Sequence, residues 1–508
     1  MTFDPAASVA SDDGEPISPG FDSARAPLRC ATSLDPADWS GLRAQGHRML
    51  DDMIDHLEGL SGQPAWRPVP ADARAVAREA VPVAPTDLAS VHASFMDAIL
   101  PYAGGNLHPG FMGWVQGAGT PVGMLAEMLS GGLNANLGGR NHMPILIERQ
   151  IRDWVREIFA FPATADGLFL TGTSQANFVA LLVARTRICG AAVRQVGVTK
   201  APRLVAYASN EVHGCVPRAL EMAGLGSDAL TRVATDAAGR IDMGSLRAHI
   251  RADRAAGLTP FLLVGSAGTV NSGAIDDLDA LADLAGEEDL HFHIDGALGA
   301  LGMMSPEIAP LLHGIERADS LAFDFHKWGH VPYDAGFLLV REGIWLKETF
   351  ASPAGYLTRA ETGLAAGGDW PCDIGPDLSR SFRALKTWFT LKTYGTQALG
   401  AAMAANCQLA RVLAARIAAE PDLELLAPVA LNIVCFGYAP DGVGGDGAIN
   451  RAIVEDLHNA GRVAPSLTLV KDRPAIRAAF VNHRTTADDL DALVEGVLRF
   501  GAGHSSRR

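Results

Sequence analysis

The chain has 508 residues, with 42 Lys and Arg against 57 Asp and Glu and a formal net charge of −15, so it carries no basic footprint for nucleic acid or an anionic membrane surface. With 48% hydrophobic and 19% charged residues its composition is globular, and no run approaches the roughly 18 consecutive apolar residues of a membrane span. The opening Met-Thr-Phe-Asp-Pro lacks the basic and apolar regions of a secretory signal, and a soluble, cytoplasmic protein without nucleic-acid or membrane partners is expected.

Residues 1–35, rich in Ala, Ser, Asp and Pro without periodicity, read as a flexible leader. From residue 38 to 60 the spacing of Leu42, Met49, Met53, Ile54 and Leu57 is helical, Pro64 and Pro68 break it, and a second helix follows near 88–100; residues 36–121 thus form an N-terminal helical arm. Beyond a Gly/Pro-rich passage at 104–123, helical segments alternate with short apolar runs: Leu168-Phe-Leu, Arg203-Leu-Val-Ala-Tyr, Pro260-Phe-Leu-Leu-Val, His291-Phe-His-Ile, Ser320-Leu-Ala-Phe and residues 335–340. Such alternation predicts an α/β domain over 122–396, its mostly parallel sheet sandwiched by helices. A long helix near 379–419 leads into a small α+β domain, 397–508, with a strand within 427–438, a helix near Asn450 and a strand at 475–481.

Six dispersed cysteines form no C-x-x-C, so neither a disulfide framework nor a zinc site is expected, and no metal is assigned. His291 and His293 share one strand face, where they could pair on a metal, but a buried or cofactor-adjacent histidine is the better reading. Gly442-Val-Gly-Gly-Asp-Gly447 fits G-x-G-x-x-G, but Pro440 and Asp441 separate it from the preceding strand and it lies far from an opening βαβ unit; a glycine loop is the better reading.

Four pieces in the α/β region carry chemistry. Thr173 and Ser174 open a helix after a short strand, either as ordinary caps or as an anion cradle. His213 follows another strand, as a core histidine or as a planar group able to stack on a ring. Asp295 ends a buried strand, as a helix cap or as partner to a protonated ring nitrogen. His326 and Lys327 end the next strand. There Lys327 is a surface lysine or, with its pKa lowered by burial, a Schiff-base nucleophile. Together, in this order, they are the parts of a pyridoxal-phosphate enzyme of fold type I.

The sequence resembles the group II pyridoxal-phosphate decarboxylases, which act on aromatic amino acids, glutamate, histidine and diaminobutyrate. The resemblance rests on His108-Pro-Gly-Phe-Met-Gly-Trp114, Thr171-Gly-Thr-Ser-Gln-Ala-Asn177 with Ala180-Leu-Leu-Val-Ala-Arg185, Ser266-Ala-Gly-Thr269 with Gly273-Ala-Ile-Asp276, His293-Ile-Asp-Gly-Ala297, Asp324-Phe-His-Lys-Trp328, Ser381-Phe-Arg-Ala-Leu-Lys386 and Asn482-His-Arg-Thr485. It implies pyridoxal 5'-phosphate bound through Lys327, Asp295 on the pyridine nitrogen, and His213 and Ala297 on opposite ring faces. Thr173, Ser174 and His326 would hold the phosphate, with Ser266 nearby. Asp324 stands where the family often has Asn, and an acid there would repel a phosphate. Tyr356, in Ala351-Ser-Pro-Ala-Gly-Tyr-Leu357, aligns with the lid tyrosine that protonates the substrate carbon.

The family's substrate pocket would draw on Trp114, Gln116 and Gly117 and, across a homodimer interface, on Gly138, Arg140 and His142. Glycines in place of bulky residues imply a roomier or more polar pocket. The expected activity is decarboxylation of an L-amino acid, aromatic by preference, to CO2 and a primary amine. Another reaction on the same scaffold, an acidic or diamino acid substrate, or an idle cofactor-binding protein are the alternatives.

Overall fold

The computed structural model describes residues 33–352, 359–440 and 447–506. The chain falls into two units, residues 1–51, of which only the stretch from 33 onward is described, and residues 52–508. Helix α1 (Trp39–Glu58), the single turn α2 (Ala73–Val76) and α3 (Leu88–Ala98) occupy the stretch expected to be a helical arm. Asp87 starts α3 by accepting the Ser90 N–H at 2.9 Å. No residue of α3 is buried, and Leu88 and Val91 stay exposed.

After β1 (Phe111–Met112) come α4 (Pro121–Leu133) and α5 (Met143–Ile158), and then the alternation begins. The strands are β2 (Asp166–Leu170), β3 (Leu204–Ser209), β4 (Leu230–Val233), β5 (Thr259–Ser266), β6 (His291–Asp295), β7 (Ser320–Asp324) and β8 (Gly336–Val340). Between and after them run α6 (Thr173–Cys189), α7 (Val193–Val196), α8 (Cys215–Met222), α9 (Met243–Ala255), α10 (Leu278–Glu287) and α11 (Gly343–Phe350).

The seven strands form one sheet in the order β2-β8-β7-β6-β5-β3-β4. Neighbours from β7 through β4 pair in parallel, and β8 runs antiparallel between β7 and β2. Every residue of β3, β6, β7 and β8 is buried, as strands covered on both faces require. Helix α6 packs on β7 and β8, while α9 and α10 pack on β5.

Helix α12 (Arg383–Ala419) bends at Gly395, whose φ of 69° is left-handed, one residue before the domain boundary expected at 396. It is long and apolar enough to cross a membrane by length and composition. Here those residues join two cores: Leu399, Met403 and Cys407 pack with the central sheet, and Ala410, Leu413 and Ile417 with the C-terminal one. That second sheet has the order β1-β11-β12-β10-β9, built from β9 (Leu423–Leu425), β10 (Ile433–Tyr438), β11 (Ala464–Val470) and β12 (Arg473–Ala479), with β1 added parallel to β11. Helices α13 (Gly447–Ala460) and α14 (Ala487–Ser505) complete it. Residues 441–446, most of the G-x-G-x-x-G match, lie outside the described residues.

A buried ion pair clamps the loop before α12 onto the sheet. Arg380 donates to Glu148 of α5 at 2.5 Å and to the carbonyls of Leu137 (3.1 Å) and Phe169 (2.9 Å), with both charged side chains almost wholly buried. Glu148→Leu leaves that guanidinium without its counter-charge, at an expected cost of about 3–5 kcal/mol. Urea unfolding reads it as a lowered midpoint, and an unchanged midpoint contradicts the clamp.

Candidate active site

The carboxyl ends of β5, β6 and β7 bring Ser266, Asp295 and Asp324 to one end of the sheet, with Ser266 in register with Asp295 and Asp295 with Ala322. Open α/β sheets bind ligands outside those ends. A cavity of about 530 Å³ lies there, lined by Thr173, Ser174, His213, Ser266, Asp295, Ala297, His326 and Lys327, with Trp114 and Gln116 also in its wall.

Lys327 Nζ sits 2.8 Å from Asp324 Oδ2. Burial pushes the ammonium's pKa down, but Asp324, with help from Asp295, holds it above the ordinary lysine value. The expectation of a burial-lowered lysine is therefore corrected: opposite charge outweighs desolvation. The same balance works on Asp324, where burial favours the neutral acid but Lys327, then His326, keep it below the usual carboxylate range.

The other oxygen, Oδ1, accepts the Thr173 N–H at 2.8 Å, so an acid from β7 caps α6, whose own N-cap, Gly172, has no side chain. Asp324 is thereby turned to a cation and a helix start. The turn holding that N-cap is tight, because a Cβ on Gly336 would stand 2.3 Å from Gly172 Cα. His326 is buried, which lowers its pKa; its Nδ1 accepts the Ala335 N–H at 3.0 Å, so Nε2 carries the proton.

Thr173 Oγ1 is buried without a hydrogen-bond partner among the described residues at the start of α6. A hydroxyl donor there, at the positive end of a helix, fits an anionic group such as a phosphate. Asp295 accepts from Asn177 Nδ2 (2.9 Å) and the Ala297 N–H (3.2 Å). His213 is exposed, and its Nδ1 accepts the Cys215 N–H at 3.2 Å. Tyr356 lies outside the described residues.

Two expectations about pocket shape change. A Cβ on Gly117 would stand 2.1 Å from the His326 carbonyl oxygen and 2.5 Å from that of Lys327, and one on Gly138 would stand 1.9 Å from the Leu378 carbonyl oxygen. Both glycines are therefore close approaches of backbone to backbone rather than open walls, the former pressing on the lysine's own segment. Gly138, Arg140 and His142 do not line this cavity within the chain. Arg140 stacks on Trp370 at 4.5 Å, and His142 Nε2 bonds the Gly139 carbonyl at 3.2 Å.

Sequence reasoning missed Asn177's role, Tyr333 and Arg477. Tyr333 and Arg477 line the cavity. Arg477 donates to the carbonyls of Trp114 (3.0 Å), Val270 (2.5 Å) and Asn271 (3.2 Å) and to Ser466 Oγ (3.1 Å). Among the described residues no carboxylate forms an ion pair with it, and burial pushes it down to about 10, which leaves it charged at neutral pH. An arginine inside the apolar run Ala475-Ile-Arg-Ala-Ala-Phe was the signal available.

The sequence profile described as "Pyridoxal-dependent decarboxylase conserved domain" matches residues 70–439. The chain is 32% identical over 460 residues to an aromatic-L-amino-acid decarboxylase of Bacillus atrophaeus, covering 88% of this chain and 93% of the relative. To an aromatic-L-amino-acid decarboxylase of Sus scrofa it is 29% identical over 446 residues, covering 84% and 88%. In fold it is similar to the crystal structure of Oryza sativa TDC with PLP and tryptamine, with a TM-score of 0.85, 22% identity and coverage of 93% of this chain and 100% of that one.

His291 and His293, side by side behind Asp295 on β6, are both buried and both within 2.8 Å of Ser320 Oγ. Burial pushes each imidazole down to about 4. Unfolded histidine titrates near 6.5, so the stability they contribute is full above about pH 6.5 and is lost as pH falls toward about 4. His291→Leu is expected to flatten this acid limb in urea unfolding measured from pH 7 to pH 4.5. A variant as acid-sensitive as the parent contradicts the assignment.

Proposed function

The chain belongs to the pyridoxal-dependent decarboxylase family, and from that membership we propose that it removes the α-carboxylate of an aromatic L-amino acid as CO2 and releases the primary amine, acting as a homodimer in the cytoplasm. One observation carries the reading: the Lys327 ammonium, held by Asp324, shares a cavity with Asp295 and with a Thr173 hydroxyl at a helix N-terminus that has no partner among the described residues. The aromatic-L-amino-acid decarboxylases among its relatives support the aromatic substrate, and the Trp114 indole supplies an aromatic wall.

Pyridoxal 5'-phosphate, when bound, supplies an aldehyde for an amine and an electron-withdrawing ring that takes up the charge left as CO2 departs. Thr173, Ser174 and His326 would hold its phosphate, Asp295 its ring nitrogen and Lys327 its aldehyde carbon, with His213, Ala297 and Ser266 lining the place of the ring. Asp324 orients the Lys327 amine and accepts its hydrogen bond. Arg477 offers a buried positive charge to the substrate's carboxylate before it is lost. In this reading the Tyr356 hydroxyl delivers a proton to the α-carbon once water is excluded.

The dimer is supported by exposed apolar side chains: Val91 on α3, Met128, Leu129 and Leu133 on α4, and Met143 and Leu146 on α5. Those on α4 and α5 flank in the chain the segment carrying Gly138, Arg140 and His142, which in this reading serves the partner's cavity. A reducing compartment is consistent with the free cysteines Cys189, Cys215, Cys372, Cys407 and Cys435.

Assayed for CO2 release over the common L-amino acids, the loaded enzyme is expected to turn over phenylalanine, tyrosine, tryptophan or their hydroxylated analogues at least about tenfold better than glutamate or 2,4-diaminobutyrate, about 1.4 kcal/mol in kcat/KM. Preference for an acidic or diamino acid overturns the aromatic assignment. Tyr356→Phe is expected to cut amine yield about a hundredfold, within the usual span of one proton-transfer group, while CO2 is still released. An unchanged amine yield removes Tyr356 from the mechanism. Leu133→Asp is expected to halve the mass measured by light scattering and abolish turnover, whereas an active monomer contradicts the shared site.

A further inference from the structure

Behind Asp295 lies a file of polar side chains that the chemistry above does not use. Positions 291, 293 and 295 fall on one face of β6, and there the chain carries His, His and Asp where apolar residues would pack as well. Asn177 of α6 and Ser320 of β7 join them. All five side chains are at least nine-tenths buried.

The chemistry of the donors fixes the order of the bonds. A carboxylate only accepts, so Asn177 presents Nδ2 to Asp295 Oδ2 at 2.9 Å; the same nitrogen lies 3.1 Å from the Cys215 sulfur. Asn177 Oδ1 must then accept, and it takes the proton of His293 Nε2 at 2.8 Å. A neutral imidazole protonated at Nε2 has an accepting Nδ1, which meets Ser320 Oγ at 2.8 Å and receives its one hydroxyl proton. Ser320 in turn accepts from His291 Nε2 at 2.8 Å. His291 Nδ1 ends the file, buried and without a partner among the described residues.

We propose that His291, Ser320, His293 and Asn177 are positioning residues forming a one-way hydrogen-bond chain, every proton directed toward Asp295, that keeps this acid an aligned carboxylate. The purpose of the chain rests on the cofactor assignment above; its direction does not. Dipoles aligned in a dry interior strengthen one another, so the far links act on Asp295 through the near ones. The imidazoles stay neutral because burial lowers both. The opposite direction requires a proton on Asp295: Asn177 would turn its amide over and His293 would carry its proton on Nδ1.

The direction is read in the full chain labelled with 15N-histidine, free of cofactor, by two-bond 1H–15N correlation at pH 7. His293 is expected as the neutral Nε2–H tautomer; the Nδ1–H tautomer or an imidazolium overturns the proposal. The purpose is read in the loaded enzyme. Ser320→Ala, two links behind Asp295, is expected to lower kcat about fivefold with KM within twofold, Asn177→Ala to lower kcat further, and the double variant to match Asn177→Ala alone, because links in series do not add. An unaffected kcat in Ser320→Ala, or losses that multiply in the double variant, overturns it. Failure of the full chain to bind pyridoxal phosphate sinks the cofactor assignment instead, and the tautomer result stands apart from it.

Discussion

An ammonium at the end of a buried strand persists only beside an opposite charge, because desolvating it alone costs more than a fold can spare. The contact of Lys327 Nζ with Asp324 Oδ2 at 2.8 Å meets that constraint. Asp324 also holds the first N–H of α6, so one carboxylate ties the strand that delivers the lysine to the helix that forms the anion site. The approach of Gly117 to the His326 and Lys327 carbonyls and of Gly336 to Gly172 leaves that arrangement little slack. Cap, lysine and cavity floor therefore stand or fall together.

Two acids on neighbouring strands do different work because their partners differ. Asp324 faces a cation and a helix start, and its charge is spent structurally. Asp295 accepts its hydrogen bonds from neutral donors, Asn177 and the Ala297 N–H, and faces the cavity. The net charge of −15 describes the outer surface. The cavity itself gathers Lys327, Arg477 and a helix N-terminus, a setting for an anionic cofactor and a carboxylate-bearing substrate.

Much of this was legible in the sequence, for identifiable reasons. Strands buried on both faces are short apolar runs, and β2, β3, β5, β6, β7 and β8 stand out. Strand β1 has two residues, β4 carries Thr231 and Arg232, and β11 contains Pro465 and is buried only over its first three residues, so none of these three reads as a buried run. The reactive residues were visible as strand-end polar groups. Their electrostatics were less so: Asp324 stands three residues before Lys327, yet from sequence it was weighed against a phosphate, and the lysine's shift came out with the wrong sign. Gly117 and Gly138 failed for a similar reason. A glycine is space or contact depending on backbone that arrives from elsewhere, in one case from 326–327 and in the other from 378.

The central claim is that Lys327 is the amine that meets the cofactor. Reducing the cofactor-loaded full chain with borohydride and mapping its peptides by mass spectrometry tests this most directly. The account predicts one pyridoxyl group per chain, on Lys327, and none in Lys327→Ala. A pyridoxyl group on any other lysine, or none on a chain that demonstrably holds the cofactor, would contradict it.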